Sequence, residues 1–399
     1  MHAAWTAAKQ IIGEPIVKRA ATLLLGTALL GTALCVAPLA LTGGLDAAAQ
    51  TKAAKAAVYK APRTAFGQPD LGGYWTNNTM TPMTRRPGVS GLVYSEDEVK
   101  KMEAEAEAEV EEGNAPTDPN AGAEAAKPAA SSLRPEFAAA GGDVGGYNRG
   151  WLDPGHTVMR VRGEPRSSLI TTPNGQIPPR KKGAPPPPGF GGGRGGLGSF
   201  DSYETRSLGE RCIIGFGRNG GPPMFPNGFY NNNYQFIQTP DHFVIEVEMN
   251  HDLRIVRLNA KHRTDDVRPY FGDSIGWWEG DTLVVETTHI PQSQGFMGSW
   301  KDLKVTERFT RVGPERVHYA FTIEDPRVWD APWGGEYEFA PLNGRIFEYA
   351  CHEGNYALPG ILAGARAEEQ AAAEAAAAKA AEAAKAPAKG KAKDKTAGE

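Results

Sequence analysis

The chain has 399 residues, with 43 Lys and Arg against 47 Asp and Glu, a formal net charge of −4 at pH 7 and 40% hydrophobic residues. That balance argues against nucleic acid as the main partner, because phosphate binding calls for a basic face. The length allows two or three domains, but several long stretches have compositions that cannot build a core.

Residues 1–49 have the layout of an export signal. Lys9, Lys18 and Arg19 precede the apolar run AATLLLGTALLGTALCVAPLALTGG, and Ala47-Ala48-Ala49 offers small residues to a peptidase. An uncleaved anchor is the rival, since about 20 apolar residues span a bilayer. Pro38 and the small-residue exit favour cleavage, and Leu34 ahead of Cys35 disfavours a lipoprotein. The expected location is periplasmic or extracellular, with no integral membrane domain after cleavage. Removing the signal removes Cys35 and leaves Cys212 and Cys351, an even pair in an oxidising compartment, which predicts one disulfide. Closing so long a loop constrains the unfolded chain by roughly 4 to 5 kcal/mol in the entropy model. Two separate buried thiols are the alternative.

Residues 50–66 read as a linker, and 67–362 as a single β domain interrupted by two segments. The first, an insert over 95–145, opens with the capping box Ser95 to Glu98 and continues as an acidic, alanine-rich stretch to Gly113, which predicts a solvated surface helix and then loose chain. The second, 181–199, is a proline- and glycine-rich loop headed by the one dense basic run, Arg180-Lys181-Lys182. Residues 363–399 form an Ala-, Lys- and Glu-rich tail without an apolar stripe, either a frayed helix or disordered.

The remainder is dense in strand signals. LGGYW (71–75) reads as the first strand, and VMRVR and SSLITTPNGQI supply two or three more around an Asn174-Gly175 turn. After Tyr230 come hairpins: YQFIQ with FVIEVEM, SIGWW with TLVVETT, LKVTERFT with RVHYAFTIE, and EYEFA with RIFEYA. Short alternating runs at regular spacing predict an antiparallel up-and-down meander. It closes into a barrel of about 8–10 strands, since closure removes exposed edges, with a two-sheet sandwich as the alternative.

Gly73-Tyr74-Trp75 has the Gly-x-Trp pattern with which lipocalin barrels begin. Together with SLGERC, YNNNYQ, EMNHDLRIV, GDSIGWWEGDTLVVET, ERFTR, FTIEDPRVWDAPW and FEYACHEGNY, the chain resembles an uncharacterised family of exported bacterial proteins of lipocalin-like, calycin-type appearance. The resemblance covers roughly 67–362. It implies a fold and a compartment and brings no activity, so no catalytic role is carried over.

Candidate site residues come from charges set among core-like positions. In FVIEVEMNHDLRIV (243–256), a three-residue loop Asn250-His251-Asp252 would put Glu248 opposite Arg254. One face would then be wholly apolar, and the other, with Val244, Glu246, Glu248, Arg254, Val256 and Leu258, charged beside the turn. Glu246, Glu248, His251, Asp252 and Arg254 then either line a binding mouth or form an exposed cross-strand pair worth under about 1 kcal/mol. In LKVTERF, Glu307 shares a face with Leu303, Val305 and Phe309. It therefore needs a partner, such as Arg254 or Arg308, or an upward pKa shift. In IFEYACHEGNY, His352 shares a face with Ile346, Glu348 and Ala350, and a disulfide at Cys351 would hold His352 and Glu353 in place; a structural histidine is the alternative. Asn231, Asn232, Asn233, Tyr234 and Gln235, with Trp277, Asn355 and Tyr356, set amides beside aromatic rings. That composition suits a sugar or polyphenol, and equally turns and core packing. Asp281 in GDTL is assigned to its turn.

Familiar constellations are missing. No His-x-His or HExxH pair, no GxSxG elbow and no phosphate loop with its Lys-Ser/Thr occurs, so no metal and no cofactor is expected. Three functions follow. The first is an exported lipocalin-like protein holding a small, partly apolar or sugar/aromatic ligand in a mouth lined by acids, Arg and His. The second is an enzyme of lyase, hydratase, isomerase or glycosidase type, with Glu248 or Glu307 as acid or base, His251 or His352 as its partner, and Arg254 steadying an anionic intermediate. The third is a structural envelope scaffold. The partner in the first two is a small molecule, and the sequence specifies no oligomeric state.

Overall fold

A computed structural model describes residues 59–114, 153, 155–186, 200–215, 217–226, 230–351 and 357–385. The signal-like segment, most of the linker and of the glycine loop, and the loose part of the insert lie outside these residues. Among the described residues, no helix is long and apolar enough to cross a membrane.

Nine strands close into a barrel. They are β1 (Gly73–Thr76), β4 (Asn233–Gln238), β5 (His242–Val247), β6 (Asp252–Leu258), β7 (Asp273–Glu279), β8 (Thr282–Thr288), β9 (Lys304–Gly313), β10 (Arg316–Glu324) and β11 (Trp333–Pro341). Neighbours follow the order β1-β11-β10-β9-β8-β7-β6-β5-β4, with β4 returning to β1. The expected barrel is therefore present and the sandwich is not. A separate two-stranded ribbon, β2 (Arg160–Val161) with β3 (Glu164–Pro165), is all that VMRVR and its successor contribute as paired strands. The Asn174-Gly175 turn forms, with Gly175 N donating to Thr172 O, but no hairpin is built on it. Residues 169–171 instead lie against β11, where Glu336 N donates to Leu169 O. Gly335 permits that approach, because a Cβ there would come within 2.5 Å of the Leu169 carbonyl.

Two expectations about the meander need correction. First, β6 and β7 are parallel. No hairpin signal separates them, and residues 259–272 supply the crossover that parallel strands require. Second, RIFEYA (345–350) is not a strand. Both edges of β11 are already taken by β10 and β1, so closure leaves no edge for a further hairpin. The face expected for Ile346, Glu348 and Ala350 lapses with the strand.

Inward side chains alternate as a half-buried strand pattern demands, and their rings meet across the interior. Tyr319 and Tyr337 lie 4.7 Å apart, Phe236 and Phe339 5.1 Å, and Phe236 and Phe309 5.8 Å. At one end, Trp75 donates from Nε1 to Leu71 O under the Arg311 guanidinium. At the other, residues 219–225 enter the barrel. Met224 N donates to Tyr319 Oη, Met224 O accepts from Tyr337 Oη, and Gly220 O accepts from Arg254. The chain thus supplies its own plug.

Helix α1 (Glu96–Asn114) starts at the expected capping box, where Ser95 N donates to Glu98 at 2.7 Å and Glu98 N to Ser95 Oγ at 3.3 Å. Val99 anchors it, and Arg160 pairs with Glu96. Helix α2 (Ala357–Lys385) carries the alanine-rich segment with little beyond Leu362 buried. Cys212 and Cys351 form the expected disulfide, their Cα atoms 5.7 Å apart. It ties the segment before the plug to the chain leaving β11, and closing its 139-residue separation constrains the unfolded chain by roughly 5 kcal/mol.

Candidate functional site

The β5–β6 turn determines which charges enter the barrel. It is made by Glu248-Met249-Asn250-His251, so that Val247 pairs with Asp252 and Ile245 with Arg254. The expected loop Asn250-His251-Asp252 would pair Arg254 with Glu248, so the observed pairing with Ile245 is three residues out of register. Asn250 and His251 take left-handed backbone, at φ 59° and 43°, and tighten the turn. With a side-chain period of two, a slip by an odd number of residues sends every β6 side chain to the opposite face. Leu253 and Ile255, expected to share one face with Phe243, Ile245 and Val247, are exposed on the opposite face, while Asp252, Arg254, Val256 and Leu258 face inward with those three residues. Glu246 faces outward, half-buried, across from Gln235 on β4.

Arg254 and Glu307 meet in the interior, the former 2% exposed and the latter fully buried. Their side chains form a two-pronged ion pair: Arg254 Nη1 donates to Oε1 at 3.0 Å and Nη2 to Oε2. Thr287 Oγ1 accepts a further bond from Nη2 at 3.0 Å, and Ser274 Oγ one from Nε at 3.2 Å. Tyr319 Oη donates to Glu307 Oε1 at 2.7 Å. Burial works against the charge on Arg254, but the Glu307 carboxylate outweighs it and the net shift is upward. Burial, then Glu307, pushes the Tyr319 hydroxyl well above the usual phenol range. Of the two arginines offered for Glu307, Arg254 is the partner; Arg308 points outward to Glu279.

Two more carboxylates are buried at the plugged end. Glu248 accepts from Asn233 Nδ2 at 2.6 Å and from Phe347 N at 2.8 Å. Asp252 accepts from Gly215 N at 2.7 Å; burial raises its pKa to about 6 against the pull of that bond. The His251 ring is exposed beside it. Arg254 and Glu307 are therefore brought together, whereas Glu248 and His251 do not join them.

The other ligand-binding candidates separate likewise. Asn231 sits at φ 54° in a turn, its carbonyl accepting from Asn219. Tyr234 is buried, its hydroxyl accepting from Asn77. Gln235 is on the outer face, and so is Trp277, which donates to Glu279. Asp281 holds its turn and an ion pair with Arg63. His352, Glu353, Asn355 and Tyr356 lie outside the described residues.

Two groupings escaped the sequence reading. One surrounds Phe296, where the plug meets the loops after β8 and β10. Arg218 lies with its guanidinium 5.1 Å from the Phe296 ring, and Trp329 and Trp333 pack at 6.5 and 5.9 Å from it. Arg218 donates to Gln294 O and Pro222 O, and among the described residues it forms no ion pair. Burial, offset in part by Tyr319, lowers its pKa to about 10. The Nε of Arg218 and the indole N–H groups of Trp329 and Trp333 are buried without an acceptor. The other grouping joins His262, Asp273 and His289 on the outer wall. The first assembles residues far apart in the chain, and its nearest sequence signal is the pair Trp329 and Trp333 around Pro332; the second gathers residues from the β6–β7 crossover and the β7–β8 hairpin.

No family model, no curated protein and no solved structure matches this chain. The lipocalin-like resemblance therefore extends only as far as a closed β-barrel.

Proposed function

We propose that the protein is an exported small-molecule-binding barrel, and that its ligand is a small, partly apolar anion held at the plugged end around Phe296. The supporting observation is a surplus of buried donors. Arg218, Trp329 and Trp333 each present an N–H with no acceptor, around one aromatic ring. Buried indole and guanidinium N–H groups normally find partners, so three orphans in one place call for an acceptor. Charge points the same way, since Arg254 and Arg218 lie near a single carboxylate, Glu307, which Arg254 already engages. Arg180, whose Nε also lacks an acceptor, packs on neighbouring Gly298. Arg218 and Phe296 are only half-buried, which leaves a route in from solvent. The interior charges expected at a mouth are engaged with one another and with the plug, so the ligand sits outside the plug. The signal-like leader and the disulfide support export.

The test is calorimetric titration and thermal shift with benzoate against neutral benzyl alcohol. Benzoate raises the melting temperature saturably and the alcohol does not. Arg218→Gln weakens benzoate binding by about tenfold or more, the scale of one hydrogen bond to a charged group, and Trp333→Phe weakens it less. Equal response to both compounds, or an unchanged Arg218→Gln affinity, overturns the reading.

The enzyme alternative has one observation behind it, the Asp252 carboxyl near pKa 6 beside His251. It requires that a bound anion be converted over hours in a proton spectrum and that Asp252→Asn stop the conversion.

A further inference from the structure

On the outer wall of the barrel, the crossover that makes β6 and β7 parallel brings His262 back to the start of β7. There its Nδ1 lies 2.8 Å from Asp273 Oδ2, and its Nε2 lies 3.3 Å from Glu286 Oε1 on β8. His289, just past β8, completes the group. Its ring centroid is 6.3 Å from that of His262, tilted by 32°, and Thr288 Oγ1 bonds both rings, at 2.9 Å to His289 and 3.3 Å to His262. One ligand atom from each of His262, Asp273 and His289 falls within 4.8 Å of the other two.

We infer that His262, Asp273 and His289 form a binding site for a divalent transition-metal ion of the zinc type, with Glu286, at the opposite ring nitrogen of His262, as the outer partner that orients that imidazole. This is independent of the anion site. Two imidazoles with one carboxylate are a borderline-soft nitrogen and oxygen donor set, which suits zinc and its neighbours rather than magnesium or calcium. A tetrahedral ion with bonds of about 2.0 to 2.1 Å needs its ligand atoms roughly 3.3 Å apart. Both imidazoles are only partly buried, so small side-chain rotations can close the difference. Asp273 is the fixed member: it is 8% exposed at the side chain, and Arg257 holds Oδ1 at 2.7 Å while Arg263 N bonds Oδ2 at 2.9 Å. Such outer partners orient ligating carboxylates. The local charges accommodate a dication. Asp273 and Glu286 face Arg257 and the more distant Lys304, while Arg263 is committed to Asp265.

The experiment uses the untagged full chain, stripped with a chelator and titrated with cobalt(II) chloride followed by visible absorption, then with zinc chloride followed by melting temperature. One cobalt per chain with a saturating d–d band, displaced by zinc, and a zinc-dependent rise in melting temperature are expected. His289→Ala abolishes both. Among the described residues its ring makes one hydrogen bond, to Thr288, so the metal-free variant keeps its melting temperature and a loss of metal reports ligation. His262→Ala also abolishes both, with some loss of metal-free stability because its ring bridges two carboxylates. The inference is overturned if cobalt gives no saturable band, or if the double variant His262→Ala/His289→Ala binds it as wild type does.

Discussion

Strands β7 and β8 carry two electrostatic arrangements back to back, and each β7 or β8 residue serves only one of them. Ser274 and Thr287 point inward and bond Arg254, which holds Glu307. Their sequence neighbours Asp273, Glu286 and Thr288 point outward and gather His262. Both groupings contain a cation-forming side chain between oxygens. Inside, the Glu307 carboxylate is taken up by its arginine and tyrosine, and no water can replace a lost partner. Outside, every partner can be exchanged for solvent or an ion. Burial, rather than residue type, separates a lock from a site that can load and unload.

Breaking the inner arrangement has the largest expected effect. Glu307→Gln keeps the shape and leaves Arg254 buried without its counter-charge, and should cost about 3 to 5 kcal/mol, read from urea unfolding. Replacing both partners, Arg254→Leu with Glu307→Leu, should recover most of that loss, since a buried pair is worth little over an apolar one. A loss below about 1 kcal/mol in the single variant would show that the pair behaves as a surface bridge and would erase the contrast.

Asp252 lies inside on the same strand as Arg254 but forms no ion pair among the described residues, and it sharpens the comparison through pH. Its folded pKa, about 6, is raised above the usual carboxylate value of about 3.9. Between those values the native state holds the proton more tightly than the unfolded chain. The stability this group contributes is therefore complete below about pH 4 and is lost as pH rises through about 6. Asp252→Asn mimics the protonated form and can still accept from Gly215 N. The variant should nearly match wild type at pH 4 and exceed it by about 2 to 3 kcal/mol at pH 8. A difference independent of pH would mean that Asp252 is ionised and satisfied as it stands.

How much of this was legible in the sequence depends on range. Hairpin partners such as β7 and β8, the capping box of α1 and the inward position of Glu307 follow from alternation and turn chemistry, which act between near neighbours; the disulfide follows from the cysteine count alone. The parallel β6–β7 pair did not, because a crossover has no local marker beyond the lack of a turn. The β5–β6 register failed by three residues because two left-handed residues, Asn250 and His251, are not distinguishable from a shorter loop by composition. That slip misassigned Leu253 and Ile255, and it set Arg254 at a mouth when it lies in the core. Arg254 and Glu307 were both selected, since a charge among apolar positions is visible in sequence. Their sealed environment was not, because it is made by residues 219–225, which show no period at all. The Phe296 and His262 groupings were invisible for a related reason: the first joins loops from separate parts of the barrel, and the second depends on the β6–β7 crossover that carries no local marker.

The smallest expected effect isolates burial from every other variable. Arg308 follows Glu307 directly and carries the same guanidinium as Arg254, and it too pairs with a glutamate, Glu279, at 2.7 Å. That distance is well within charge-assisted range, yet both side chains are 47% exposed. Trp277 also donates to Glu279, so the carboxylate keeps a partner when Arg308 is removed. Exposed pairs gain little because water screens them and the long side chains lose freedom in forming them. Arg308→Ala should therefore leave the urea midpoint unchanged, at low and at high salt, while Arg254→Ala in the same wall lowers it severely. Were the two arginines to prove equally costly, geometry and not burial would govern this barrel, and the outer histidine cluster would have to be regarded as another lock.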